Sequence, residues 1–217
     1  MGEVEVDHIY KRITIHSVLF FYGAEANHLL SNSIAADIAR QWNEPGATLK
    51  MGHSTYRVYF DITGIFRPGL TAQDVITNNN PRHNYFRIEA YSPIDISFTD
   101  GIAGNTGFFK LDNLLYDSTT AAHEYGHTLG LHHPANLDIR GQGTPGIMYP
   151  RGTLADAPYQ YNPAAKAGEP GSTLDPSKRK VLQQDIDNLQ LHRLHFNATG
   201  HAVIGKFSAV WHPVYHF

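Results

Sequence analysis

The run His123-Glu124-Tyr125-Gly126-His127-Thr128-Leu129-Gly130-Leu131-His132-His133 carries more chemistry than any other stretch of the chain. Residues four apart on a helix leave the same face, so the imidazoles of His123 and His127 point the same way. That spacing lets two nitrogens reach one zinc ion at about 2.0–2.1 Å. Glycine takes positive φ without steric cost, so Gly130 can turn the chain out of the helix and return His133 to the same metal. Three neutral ligands leave a fourth position for water, whose pKa the ion lowers towards neutrality. Glu124 adjoins the first ligand and can take that water's proton and later give it to a leaving amine. Multiplying the chain's own residue frequencies gives roughly two chance matches to this pattern in 10,000 such chains.

The flanking sequence alternates between strand and helix patterns. Residues 117–130 read as a helix, capped by Ser118 and closed by Gly130. Val4, Val6, Ile13, Ile15 and the apolar run 18–22 predict a first strand region. A helix is expected over 33–43, with Ile34, Ile38 and Trp42 on one face, Ser31 or Ser33 as cap, and Pro45-Gly46 as the stop. Tyr56, Val58, Phe60 and Ile62 alternate as a strand. Residues 67–84 read as a loop. Phe86, Ile88 and Ala90 suggest a weak strand, and Ile94, Ile96 and Phe98 a clearer one. Short strands are expected at 105–110 and 113–116. Six of the twelve prolines fall in 134–175, which predicts a long irregular stretch. Asp175-Pro176 then caps a last helix carrying Leu182, Ile186 and Leu189. A hairpin is expected in 201–217.

Composition narrows the function further. The 217 residues include 17 basic and 20 acidic ones, a formal charge of −3, so no basic excess exists to grip nucleic acid or an anionic membrane. No run approaches the roughly 18 apolar residues of a membrane helix. Cysteine is absent, which removes disulfides, thiolate metal sites and cysteine nucleophiles. The first twelve residues lack a hydrophobic signal core.

The eleven-residue run resembles the elongated zinc motif of the metzincin metallopeptidases at all of its fixed positions. Gly146-Ile147-Met148-Tyr149-Pro150 is similar to that family's methionine turn, in the form used by the matrixin branch. Asp95-Ile96-Ser97-Phe98, Asn113-Leu114-Leu115, Ala121-Ala122 and the helix around Leu182-Gln183-Gln184-Asp185-Ile186 also look matrixin-like. The resemblance implies a zinc endopeptidase of α+β class: a twisted mixed five-stranded sheet, three main helices, and one domain over 1–217. Its cleft would lie between an upper lobe of about 1–133 and a lower lobe of about 134–217. It implies one catalytic zinc on His123, His127 and His133, with Glu124 as general base and Met148 packed beneath the ligands. Tyr149 and Pro150 would line the pocket for the residue after the cut. Thr106, Gly107 and Phe108 would form the upper rim, pairing with an extended substrate if theirs is an edge strand; the alternative is a buried inner strand.

Some features depart from the matrixin pattern. Pro134 after the third histidine looks more like the serralysin branch. Pro150 stands where astacins and serralysins carry a tyrosine ligand. The stretch 99–104 is short for a loop holding structural calcium or a second zinc, so neither is expected. The segment 149–175 is longer than in matrixins. His132 reads as a neighbour of the site rather than a ligand, and Asp185 as an anchor of the last helix. The expected partner is a protein or peptide substrate, with no nucleic acid, no membrane insertion and a monomeric state. The expected location is outside the producing cell, by secretion or delivery. Two other readings share these residues: a delivered effector or toxin protease with a narrow target, and a non-catalytic binding module that keeps zinc for stability.

Overall fold

Strands β1 (Gly2–Asp7) and β2 (Arg12–Tyr22) form an antiparallel hairpin where one strand region was expected. The computed structural model describes residues 1–115 and 118–214. The hairpin's turn is built on Asp7, whose Oδ1 accepts the N–H groups of Ile9 and Tyr10. Helix α1 (His28–Asn43) begins five residues before its predicted start. Its cap is Asn27, whose Oδ1 accepts Leu30 N–H at 2.9 Å, and Ser31 lies buried within the helix. Ile34, Ile38 and Trp42 are buried, as their spacing predicts. Strands β3 (Thr48–Met51) and β4 (Ser54–Phe66) follow as a second antiparallel pair. Helix α2 (Ala72–Ile76) occupies part of the expected loop, closed by a reciprocal Thr71–Asp74 capping box.

β2 organises the sheet. One of its edges pairs in parallel with β4 along residues 12–21. The other edge is shared: β1 takes residues 12–16, and β5 (His83–Glu89) runs parallel to residues 18–22. Residues 84–88 of β5 are all buried, so the strand lacks the polar face that produces alternation. Outside it lie the two-residue β6 (Phe98–Thr99) and the parallel β7 (Thr106–Lys110). β7 is the inner of the two, and β6 pairs antiparallel to it on the sheet's margin. Ile94 and Ile96 are exposed and outside any strand.

Residues 111–114 form a tight helical turn rather than a strand. Tyr116 and Asp117, where the predicted strand ends and the predicted helix starts, lie outside the described residues, as does 215–217. Helix α3 (Thr120–Thr128) is buried along its whole length. The expected last helix is divided: Asp175 caps a turn at Pro176–Lys178, and α4 (Gln183–Asn188) follows. In place of a C-terminal hairpin, β8 (His201–Ile204) pairs with β1. The result is a mixed α+β fold of eight strands and four helices among the described residues, against the five strands and three helices expected. The segment 134–175 is irregular as predicted, stitched by isolated pairs such as Asp138 with Leu154 and Gln160 with Leu174, over a small core of Ile139, Ala155 and Leu174.

Candidate metal centre and substrate groove

α3 is seated by aromatic packing before any question of metal arises. Trp42 of α1 donates its Nε1–H to Ala122 O at 3.1 Å. Tyr125 is fully buried against the edges of Trp42 and Phe60, and its hydroxyl meets Ser17 Oγ of β2 at 2.8 Å. Beneath the helix, Met148 is buried where an ideal Cβ on Gly126 would come within 2.4 Å of its sulfur. Glycine at that position lets the methionine approach the helix backbone.

The C-terminus of α3 is a Schellman turn. Leu131 N–H reaches Gly126 O at 3.1 Å and Gly130 N–H reaches His127 O at 3.0 Å, with Gly130 at φ +97°. Leu131 O then accepts His127 Nδ1–H at 2.7 Å. The turn thus both orients one imidazole and returns His133 towards the other two.

His123, His127 and His133 place one ligand nitrogen each within 4.8 Å of one another. His133 Nε2 lies 3.0 Å from His123 Nε2 and 3.1 Å from His127 Nε2. A tetrahedral zinc site with ordinary Zn–N bonds needs separations of roughly 3.3 Å, so the cluster is close to the right size. The proton positions decide what the cluster can hold. His123 Nδ1 lies 2.7 Å from Ile147 O, and His127 Nδ1 lies 2.7 Å from Leu131 O. A carbonyl only accepts, so both Nδ1 atoms carry hydrogen and both Nε2 atoms present lone pairs. His133 has at most one proton to share between two acceptors. Converging lone pairs in this number fit a cation. Burial, more than any neighbour, holds His123 well below the ordinary imidazole range and His127 down to about 4, and it lowers His133 as well. All three are therefore neutral near pH 7, the state a ligand needs.

Glu124 lies buried beside this cluster. Thr99 Oγ1 of β6 donates to its Oε2 at 2.9 Å. Burial pushes the carboxyl up to about 7, opposed by the Thr99 hydrogen bond and the charge of Arg179. A carboxyl poised there both accepts and releases protons near neutrality. The three histidines and Glu124 line an open groove of about 530 Å³, which Ile96, Phe98 and Thr99 also line.

The expected substrate-contacting residues are divided by the structure. Pro150 lines the groove. Tyr149 instead packs against the Ile139–Ala155–Leu174 core and faces a separate cavity of about 420 Å³ that also includes Asp185. Thr106, Gly107 and Phe108, expected on the upper rim, are fully buried between β5 and β6. The strand at the rim is β6, because the chain places the later strand inside the earlier one. Asp185 accepts the N–H groups of Leu182 and Ile147, tying the start of α4 to the turn that carries Met148.

Sequence reading missed Thr99 and Arg179. Arg179 is 6 % exposed and lines the groove. Its Nε donates to Thr119 Oγ1 at 2.9 Å and its Nη1 to Tyr149 O at 2.9 Å. Nη1 also lies 3.0 Å from His123 Nδ1, whose own proton is turned to Ile147. Burial lowers this guanidinium to about 10. No local pattern marks either residue, since each acquires its neighbours from distant parts of the chain.

No family model matches the chain, and no curated protein does so. Among solved structures, the chain is similar to the crystal structure of archaemetzincin (amzA) from Methanopyrus kandleri, at 12 % identity over 82 % of this chain and 95 % of that one, with a TM-score of 0.42. A likeness that loose does not decide what this chain does.

Proposed function

We propose that the chain is a zinc-dependent endopeptidase of metzincin type. The observation that carries this reading is the convergence of three imidazole nitrogens beside the buried carboxyl of Glu124. His123, His127 and His133 would hold the ion through Nε2, with Ile147 and Leu131 carbonyls fixing two of the rings. When bound, zinc supplies Lewis acidity and lowers the pKa of water at its open position. Glu124, steadied by Thr99, takes the proton from the attacking water and delivers it to the departing amine, so one carboxyl serves as base and then acid. The outer edge of β6 offers backbone groups to an extended peptide lying along the groove. The substrate is a protein or peptide, and the site of action is outside the producing cell.

Zinc analysis combined with peptide-library cleavage tests the reading. Wild type should bind one zinc and cut. Glu124→Gln should keep the zinc and lose at least about a hundredfold in turnover, the usual scale of general-base catalysis. His127→Ala should lose the metal. Equal zinc content with cleavage absent from both wild type and Glu124→Gln would instead identify a metal-stabilised binding module.

A further inference from the structure

Two buried arginines in this fold are treated differently. Arg87 is paired with the carboxylate of Glu89. Arg179 is as deeply buried and forms no ion pair among the described residues; its polar contacts go to a hydroxyl, to backbone carbonyls and to the His123 ring nitrogen. Those bonds hold the guanidinium plane, yet Nη2 has no hydrogen-bond partner among the described residues. Glu124 acts on this charge without contacting it; a buried charge with no carboxylate in contact is expensive, and a guanidinium fork matches a carboxylate in two-point geometry. Arg151 lines the same groove, exposed, and its side chain makes one polar contact, Nη2 to Asn113 Oδ1 at 3.4 Å. The only carboxyl among the described residues lining the groove is Glu124, which the proposed reaction already uses.

We infer that the groove selects a substrate carrying a carboxylate close to the cut bond, held by Arg179 in the wall and drawn in by Arg151 at the mouth. This rests on the peptidase reading for the word substrate, but the anion preference itself is a binding property. Two sources offer the same chemistry: an acidic side chain, or the free carboxylate of a peptide's C-terminus. Arg179 also bridges the start of α3, through Thr119, to the segment after Met148, through Tyr149 O. A neutral donor could make that bridge, so the bridge alone does not account for the charge.

The test uses zinc-loaded Glu124→Gln protein and fluorescent peptides in matched pairs, with binding read by anisotropy. In one series Glu is moved position by position with Gln as its twin; in the other the C-terminus is free acid or amide. Wild-type protein is offered the same peptides for cleavage. One acid series should bind roughly tenfold tighter than its neutral twins, the scale of a charge-assisted hydrogen bond, and the series that does so identifies the source. The preference should shrink severalfold on adding Arg151→Gln and fall to near unity with Arg179→Gln. If Arg179→Gln fails to fold, Arg151→Gln and the loss of preference with added salt carry the test. Equal binding within both series, or a preference that survives both arginine changes, overturns the inference. Selective binding without any wild-type cleavage would leave the carboxylate site standing and sink the peptidase reading. Cleavage with no preference would do the reverse.

Discussion

Gly126 and Met148 show how narrow the tolerances are at single residues. A Cβ at Gly126 would overlap the Met148 sulfur, so Gly126→Ala should destabilise the fold by about 1–3 kcal/mol, the range for overpacking a filled core. Truncating the neighbour as well, in Gly126→Ala with Met148→Ala, should recover part of the loss; a double-mutant cycle by chemical denaturation reads the coupling. Asp185 makes a different prediction. Burial pushes its carboxyl from 3.8 up to about 6, although two backbone N–H groups oppose the shift. The native state therefore favours the protonated acid. That contribution is complete below pH about 4 and is lost as pH rises through about 6, with a span of roughly 3 kcal/mol. Denaturation profiles from pH 4 to 7 should show this decline in wild type and a flatter course in Asp185→Asn. Residue identities in the histidine run were legible because everything they need lies within eleven positions. Arg179 was not, because its meaning depends on Thr119 and Tyr149, 60 and 30 residues away.

At the level of elements, α3 is closed by a turn that serves the ligands as much as the helix. Gly130 sits at φ +97°, and a Cβ there would meet only Ala103 Cβ, at an ordinary 3.8 Å, so Gly130→Ala would strain the backbone rather than clash. The expected loss is about 1–2 kcal/mol, accompanied by weaker zinc binding, since the same turn presents Leu131 O to His127; calorimetry and metal titration check the two effects separately. At the other helix, Asn27→Ala should cost about 1 kcal/mol through loss of the cap, measurable as a lower melting temperature. Helix existence was readable from apolar spacing, but the start of α1 was not. Ser31 and Ser33 are plausible caps in isolation, and tertiary burial of Ser31 continues the helix past them to Asn27. Strand order was illegible for a stronger reason. Alternation reports which face is wet, not which neighbour a strand has. The buried β5 therefore looked weak, and β7 looked eligible for the margin that β6 occupies.

For the whole molecule, hydrogen bonds around the histidine cluster join segments that the sheet alone does not hold together. Ile147 and Leu131 carbonyls fix His123 and His127, and Thr119 accepts from Arg179 while donating to Pro176 O, so the histidine cluster is fastened to segments on both sides of it within the chain's second half. Zinc should raise the melting temperature and chelation should lower it, because the stabilisation free energy grows with the logarithm of free zinc and reaches about 4 kcal/mol at a thousand times the dissociation constant. A scan that is indifferent to zinc would show that the ion is not coupled to the fold. The packing under α3 also sets the protein's durability towards oxidants. A chain without thiols escapes the usual route of peroxide damage, yet an oxygen atom added to the Met148 thioether would have to fit where even a methyl group on the helix does not. Sulfoxide formation would then act as a wedge driven under the ligand platform, and peroxide inactivation would proceed at the pace at which transient opening uncovers that sulfur.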